Sequence, residues 1–235
     1  MRMRRDVFPS APAFLAGLAL GVLLLLPACS DSGPHSLSDT KYWRSKIGKG
    51  EGIEDVVKQG RAAVPLLNTL LGDGNEYVVQ YAAMAVQQIA EQQGPQTVAS
   101  TVPALVNALV RYPDQAYVTQ ALKSTKGEAV AQLIPLLGDA NVEIQEQAVK
   151  ALNGIGAPAA DAMEPLLRIA EDKSAPAELR KQALVTLGSI GEEAVSAIPR
   201  IDAIARSEDA LRQTAAMANK RLKYAKRVRE KGGDR

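Results

Sequence analysis

Val64–Ala90 reads VPLLNTLLGDGNEYVVQYAAMAVQQIA, two amphipathic stripes separated by a break. Val64, Leu67, Leu70 and Leu71 form the first stripe, and Val78, Ala82, Ala85, Val86 and Ile89 form the second. Both follow the i, i+3, i+4, i+7 spacing of a helix buried along one face. The break, Gly72-Asp73-Gly74-Asn75, offers a glycine stop for the first helix and capping side chains for the second. Neither helix can bury its stripe alone, so the pair needs neighbours.

The chain repeats the unit. Val130–Gly156 reads VAQLIPLLGDANVEIQEQAVKALNGIG, with Leu137-Gly138-Asp139 standing where Leu71-Gly72-Asp73 stands. Counted from each aspartate, Ile144, Ala148, Leu152 and Ile155 fall at the offsets of Val78, Ala82, Val86 and Ile89. Met163–Gly191 and Ile198–Leu222 repeat the pattern again, the latter with Leu211, Ala215, Ala218 and Leu222 on its second stripe. A weaker copy, Val102–Lys126, keeps Val118 and Leu122 and then runs into Ser124-Thr125-Lys126-Gly127. Pro65, Pro103, Pro165 and Pro199 take the same slot near the start of the first helix, where a missing N–H costs nothing. The resulting period of roughly 30 to 38 residues is that of a helical solenoid. Pro135 falls inside its helix and predicts a kink or a shifted start. Upstream, Thr40–Gly60 carries Tyr42, Trp43 and Ile47, then Ile53, Val56 and Val57. It reads as a degenerate helix pair capping the stack, with Trp43 as its core plug.

This pattern, a valine-proline start, paired leucines, an aspartate and a second aliphatic stripe ending in Ile-Gly, resembles HEAT repeats in the short bacterial form called PBS-lyase HEAT-like. The resemblance spans residues 40–222. It implies an all-α fold, a right-handed alpha-alpha superhelix of about five helix pairs plus the cap. It also implies a scaffold or adaptor, since few members are enzymes. The family's arginine after the first apolar residue of the second helix is present at Arg180 and Arg212 but replaced by Val79, Thr119 and Gln145. An incomplete aspartate–arginine ladder and a looser N-terminal half are therefore expected.

Residues 1–28 read as a lipoprotein-type signal peptide. Arg2, Arg4 and Arg5 precede an apolar run, Phe14–Leu26, that is shorter than the roughly 20 residues needed to span a bilayer. Leu26-Pro27-Ala28-Cys29 resembles a bacterial lipobox, which implies lipidation of Cys29, and Ser30 after it implies the periplasmic side of the outer membrane. The alternative is ordinary secretory cleavage that leaves Cys29 as a thiol. Cys29 is the only cysteine, so no intramolecular disulfide exists. Residues 29–39 read as a flexible tether containing the single histidine, His35, which nothing in the sequence positions.

Residues 223–235 end the chain as a basic tail. Lys220–Arg235 has a net charge of +6 against +2 for the whole chain, so the body before it is acidic. Lys220, Arg221, Lys223, Lys226, Arg227 and Arg229 are either the solvated end of a last helix or an adhesive for an anionic surface. Nucleic acid is not an expected partner of a chain exported from the cytoplasm.

The chemistry of an enzyme is missing from the repeats. From Thr40 onward there is neither histidine nor cysteine, which removes the common nucleophile–base systems and zinc sites. By resemblance, the family's iron-dependent hydroxylases need His-Glu pairs, and its bilin lyases act on antenna proteins inside cells or plastids. Glu171-Asp172 and Glu192-Glu193 are paired carboxylates at repeat turns, expected to be solvated. Gly154-Ile155-Gly156 and Gly188-Ser189-Ile190-Gly191 are expected as helix ends rather than phosphate loops. No cofactor or metal is expected. A partner would meet the second helices, which line the concave face of such solenoids. Two columns face outward there: Gln80, Gln120, Glu146, Lys181 and Gln213, and beside them Tyr81, Ala121, Gln147, Gln182 and Thr214. Tyr77 and Tyr117 flank the first two helices. The expected function is a non-catalytic scaffold for a protein or peptide in the bacterial envelope. The alternative is a tether to cell wall or anionic surface through the tail, and the third and least favoured is an enzyme.

Overall fold

The computed structural model describes residues 35–232. The signal-peptide segment, Cys29 and residues 30–34 of the tether lie outside the described residues, as do residues 233–235. Among the described residues the regular structure is entirely helical. A short pair comes first, α1 (Thr40–Ile47) and α2 (Ile53–Gln59). Five further pairs follow: α3 (Val64–Leu71) with α4 (Glu76–Gln93), α5 (Val102–Arg111) with α6 (Ala116–Ser124), α7 (Val130–Leu133) with α8 (Val142–Ile155), α9 (Met163–Glu171) with α10 (Ala177–Ile190), and α11 (Ile198–Ser207) with α12 (Asp209–Gly232). The fold is the all-α, HEAT-like solenoid expected from the repeats.

Local chemistry sets the turns. Asn75 and Asn141 cap α4 and α8, each side chain accepting from the backbone N–H two residues on. The aspartate two residues earlier, Asp73 or Asp139, accepts the N–H of that asparagine. Asp-x-Asn is therefore one paired capping device, used twice. Gly72 closes α3 with a φ of −81°, so its left-handed freedom goes unused at the break where a glycine stop was expected. That freedom is used at the other junction. Gly60, Gly94, Gly156 and Gly191 follow α2, α4, α8 and α10 with positive φ, and each turns the chain into a 3-10 segment leading to the next repeat. After α6 the same junction is made by Lys126 at φ +54°, the one non-glycine in that region among the described residues. A side chain there costs about 1–2 kcal/mol. Lys126→Gly should therefore stabilise the protein by about 0.5–1 kcal/mol after the added unfolded-state entropy of glycine is subtracted. Urea denaturation of the two forms checks this.

Each 3-10 segment delivers a small buried residue just ahead of the first helix: Ala63, Thr101, Ala129, Ala162 and Ala197. Thr101 satisfies its hydroxyl by donating to the Val98 carbonyl at 2.7 Å. Both stripes of the opening stretch are buried in full, and the weaker copy folds as well, with Leu105, Leu109, Val118 and Leu122 in the core. Its decay shows only as a short second helix. Pro135 ends α7 after four residues and converts the rest of that helix to a 3-10 turn, Pro135–Gly138, which is the expected kink. Pro165 stands one residue later in its helix than Pro65, Pro103 and Pro199.

The N-terminal pair caps the stack with Trp43 buried, its Nε1 donating to the Ser36 carbonyl. The end of the tether is not loose. Asp39 caps α1, and His35 stacks on Tyr42 with ring centres 3.5 Å apart and its Nδ1 3.9 Å from Asp39. The expectation of an unpositioned histidine is corrected here, because aromatic stacking against α1 holds the ring. Chain contacts of the cap thus begin before Thr40.

The arginine pattern also resolves differently from a simple ladder. Arg180, almost fully buried, donates to the Ala170 carbonyl at the end of α9 and to both oxygens of Glu208 in the next repeat. Arg212 donates to the Ala205 carbonyl at the equivalent place. Where the repeat lacks that arginine, other side chains serve the first helix's free carbonyls. Arg111 from the following repeat reaches Leu71, Gly72 and Asp73, and Gln145 donates to Asp139. Asp73 is further held by Arg44 of the cap at 2.6 Å, which keeps its carboxyl below the usual carboxylate range. The interaction wanted by the fold is satisfaction of helix-end carbonyls, and several residue types supply it.

Candidate functional site

The second helices α4, α6, α8, α10 and α12 pack on one another much more extensively than the first helices do. A layer whose members lie closer together is the inner layer of a curved stack, so the second helices carry the concave side. Gly188 helps to draw that layer in. A Cβ there would lie 3.2 Å from the Cα of Ala218, so α10 and α12 meet almost backbone to backbone.

On this side the predicted columns divide. Gln120 and Gln213 are exposed, Gln80 and Lys181 half-buried, and Tyr77 and Tyr117 show 63% and 40% of their surface at the helix starts. The second column lies deeper. Tyr81 packs its ring over Gly50 of the cap, Ala121 is buried, and Gln147 accepts from Thr119 across the α6–α8 contact. Tyr81 and Gln147 therefore help to join repeats. Gln182 sits between α10 and its neighbours with its Oε1 buried and without a hydrogen-bond partner.

One turn further along the same helices lie residues that the sequence columns stopped short of: Met84, Ser124, Lys150, Val185 and Met217. Adding four to the first column would have found them. Together with Asn153, Lys181, Gln182 and Thr214, the last three line a depression of about 250 Å³ across α8, α10 and α12. Its floor is apolar and its rim carries Lys150 and Lys181, each with a nearby carboxylate on its own helix, Glu146 at 3.9 Å and Glu178 at 3.7 Å. Met217 is 53% exposed. The arrangement offers amide and ammonium donors around a small greasy surface. This suits contact with a polypeptide.

Three of the four paired carboxylates are engaged in structure. Glu171 accepts from Arg200, which also holds Glu164, and this hydrogen bonding keeps Glu171 below its ordinary value. Asp172 is lowered by the hydroxyl and N–H of Ser174, and Glu192 accepts from Arg229. A general acid needs the reverse shift. Among the described residues no group of three or more His, Cys, Asp or Glu could hold a metal ion, and no helix is long and apolar enough to cross a membrane.

Comparison with known proteins adds the following. Residues 130–220 match the family model for HEAT repeats. No curated protein matches the chain. Among solved structures, an engineered protein aligns at 21% identity over 83% of this chain and 94% of its own, with a TM-score of 0.49. A designed armadillo repeat protein in complex with the peptide (KR)4 aligns at 23% identity over 79% and 92%, with a TM-score of 0.47. Computationally designed armadillo repeat proteins for modular peptide recognition align at 22% identity over the same shares, with a TM-score of 0.45. Residues 130–220 are thus similar to HEAT repeats, and the helix pairs before that segment and the remainder of α12 after it continue the same helix-pair architecture.

Proposed function

We propose that this protein is a non-catalytic scaffold that holds an extended polypeptide on its second-helix face, anchored in the bacterial envelope by a lipid on Cys29. The observation that carries the binding half is the depression across α8, α10 and α12, where Val185 and Met217 are bordered by Lys150, Lys181 and the unpartnered Gln182 carbonyl. An extended peptide brings backbone carbonyls for the two ammonium groups and apolar side chains for the floor. Tyr77, Gln80, Tyr117 and Gln120 extend the same face toward the N-terminus. The anchor rests on the sequence around Cys29.

The test is photo-crosslinking in intact envelopes, with the reactive side chain placed at Lys150 or Gln213 and, as control, at exposed Arg168 on the first-helix side. A discrete crosslinked polypeptide is expected from the first two positions and not from the third, and Val185→Asp should remove it without loss of helical content. Equal labelling from Arg168 would overturn the binding face. Cys29→Ala should shift the protein from the membrane to the soluble fraction, and unchanged retention would overturn the anchor.

A further inference from the structure

The last helix does not stop where the repeat does. Leu211, Ala215, Ala218 and Leu222 bury one side of α12 against the stack, but the helix continues to Gly232 as an overhang. From Lys223 to Lys231 every residue is exposed except Ala225, which packs over Gly191. The other tie is the ion pair of Arg229 with Glu192, on the same side of the helix as Ala225. The basic segment is thus the solvated end of the last helix, one of the two readings its sequence allowed, and it continues α12 past the buried stripe.

Its free side is amphipathic. At 100° per residue, Met217, Tyr224 and Val228 fall within a sector of about 40°, and they are 53%, 67% and 53% exposed. Lys220, Arg227 and Lys231 border this stripe on one side and Arg221 borders it on the other. The one acidic residue of the overhang, Glu230, faces away, where Lys226 reaches it at 3.9 Å. The stripe therefore meets its surroundings with apolar side chains and uncompensated positive charge.

We propose that this overhang lies on the surface of an anionic lipid bilayer. Two features favour a bilayer over an acidic peptide. The overhang is a convex cylinder with no second wall, so it can rest on a plane but cannot enclose a strand. Its cations are also spread along about three turns rather than set to one geometry, which suits a fluid sheet of headgroups. Tyr224 and Val228 would enter between the headgroups while lysine and arginine stems bring their charges to the phosphates. Met217 borders both surfaces, but Tyr224, Arg227, Val228 and Lys231 take no part in the depression, so the variants below leave the concave face intact.

Vesicle co-sedimentation of the full-length chain tests it, with every variant sharing the same N-terminal segment. Partition into phosphatidylcholine vesicles containing about 30 mol % phosphatidylglycerol should exceed that into pure phosphatidylcholine by at least about tenfold and fall with added salt. Lys220→Glu, Arg227→Glu and Lys231→Glu together should abolish the preference. Tyr224→Ser with Val228→Ser should weaken binding by about tenfold while leaving the salt dependence. All five positions are exposed, so the circular dichroism of the variants should match the parent. An absent preference for the anionic vesicles, or one that survives charge reversal, would overturn the proposal. So would capture of the overhang by polyglutamate without any binding to the vesicles.

Discussion

Replacing Arg180 with methionine should destabilise the protein by about 3 kcal/mol, at the low end of the range for removing one partner of a buried ion pair. Arg180 is 5% exposed and serves two clients at once: the Ala170 carbonyl at the end of α9 and the Glu208 carboxylate in the turn between α11 and α12. Methionine fills the volume but leaves both acceptors without their donor. The cost stays at the low end because the Glu208 side chain retains 20% of its surface and can recover water. Thermal or urea unfolding checks the size. Acid titration checks the cause. The two hydrogen bonds from Arg180 hold Glu208 below its ordinary value, so near pH 4 the folded state binds fewer protons than the unfolded one. The stabilisation is complete above the unfolded glutamate value of about 4.3 and is lost as pH falls through the lower folded value. The variant's stability should accordingly fall less steeply with acid than the parent's. A parallel fall in both would show that the pair contributes little.

Leu70→Ala should cost between about 2 and 5 kcal/mol. Leu70 is 1% exposed on the fully buried stripe of α3, so truncation leaves a cavity that neighbouring repeats cannot easily close. Because each repeat rests on its neighbours, the loss should appear first as unfolding of the N-terminal repeats, with residues beyond α8 retaining amide protection. A loss below about 0.5 kcal/mol would contradict burial of this stripe.

The two variants probe different kinds of information. Leu70 belongs to a periodicity written plainly in one stretch, and its burial needed only that stretch and the repeats around it. The twinned Asp-x-Asn turns were equally legible, since both capping residues lie beside the helices they serve. Arg180 was recognisable as a repeat position, but its partners were not, because the bonds run to a main-chain oxygen and to the following repeat. Arg111 shows the same limit. Its spacing gives no sign that it closes a helix two elements earlier.

For the candidate site the division is similar. The outward columns follow from helical periodicity, yet only packing separates Gln120 and Gln213, which face solvent, from Tyr81 and Gln147, which join repeats. The depression around Val185 and Met217 exists because three helices approach closely, and Gly188 permits the α10–α12 part of that approach.

Local sequence alone determined that this protein is a stack of helix pairs, where the pairs break, and which faces are apolar, because hydrophobic period, caps and proline act within a few residues. Tertiary structure alone decided which layer is inner, which polar side chains are absorbed between repeats, and which partners the arginines take. Those outcomes depend on distances between residues about 30 apart or more along the chain, which the period of the repeat brings together but does not itself display.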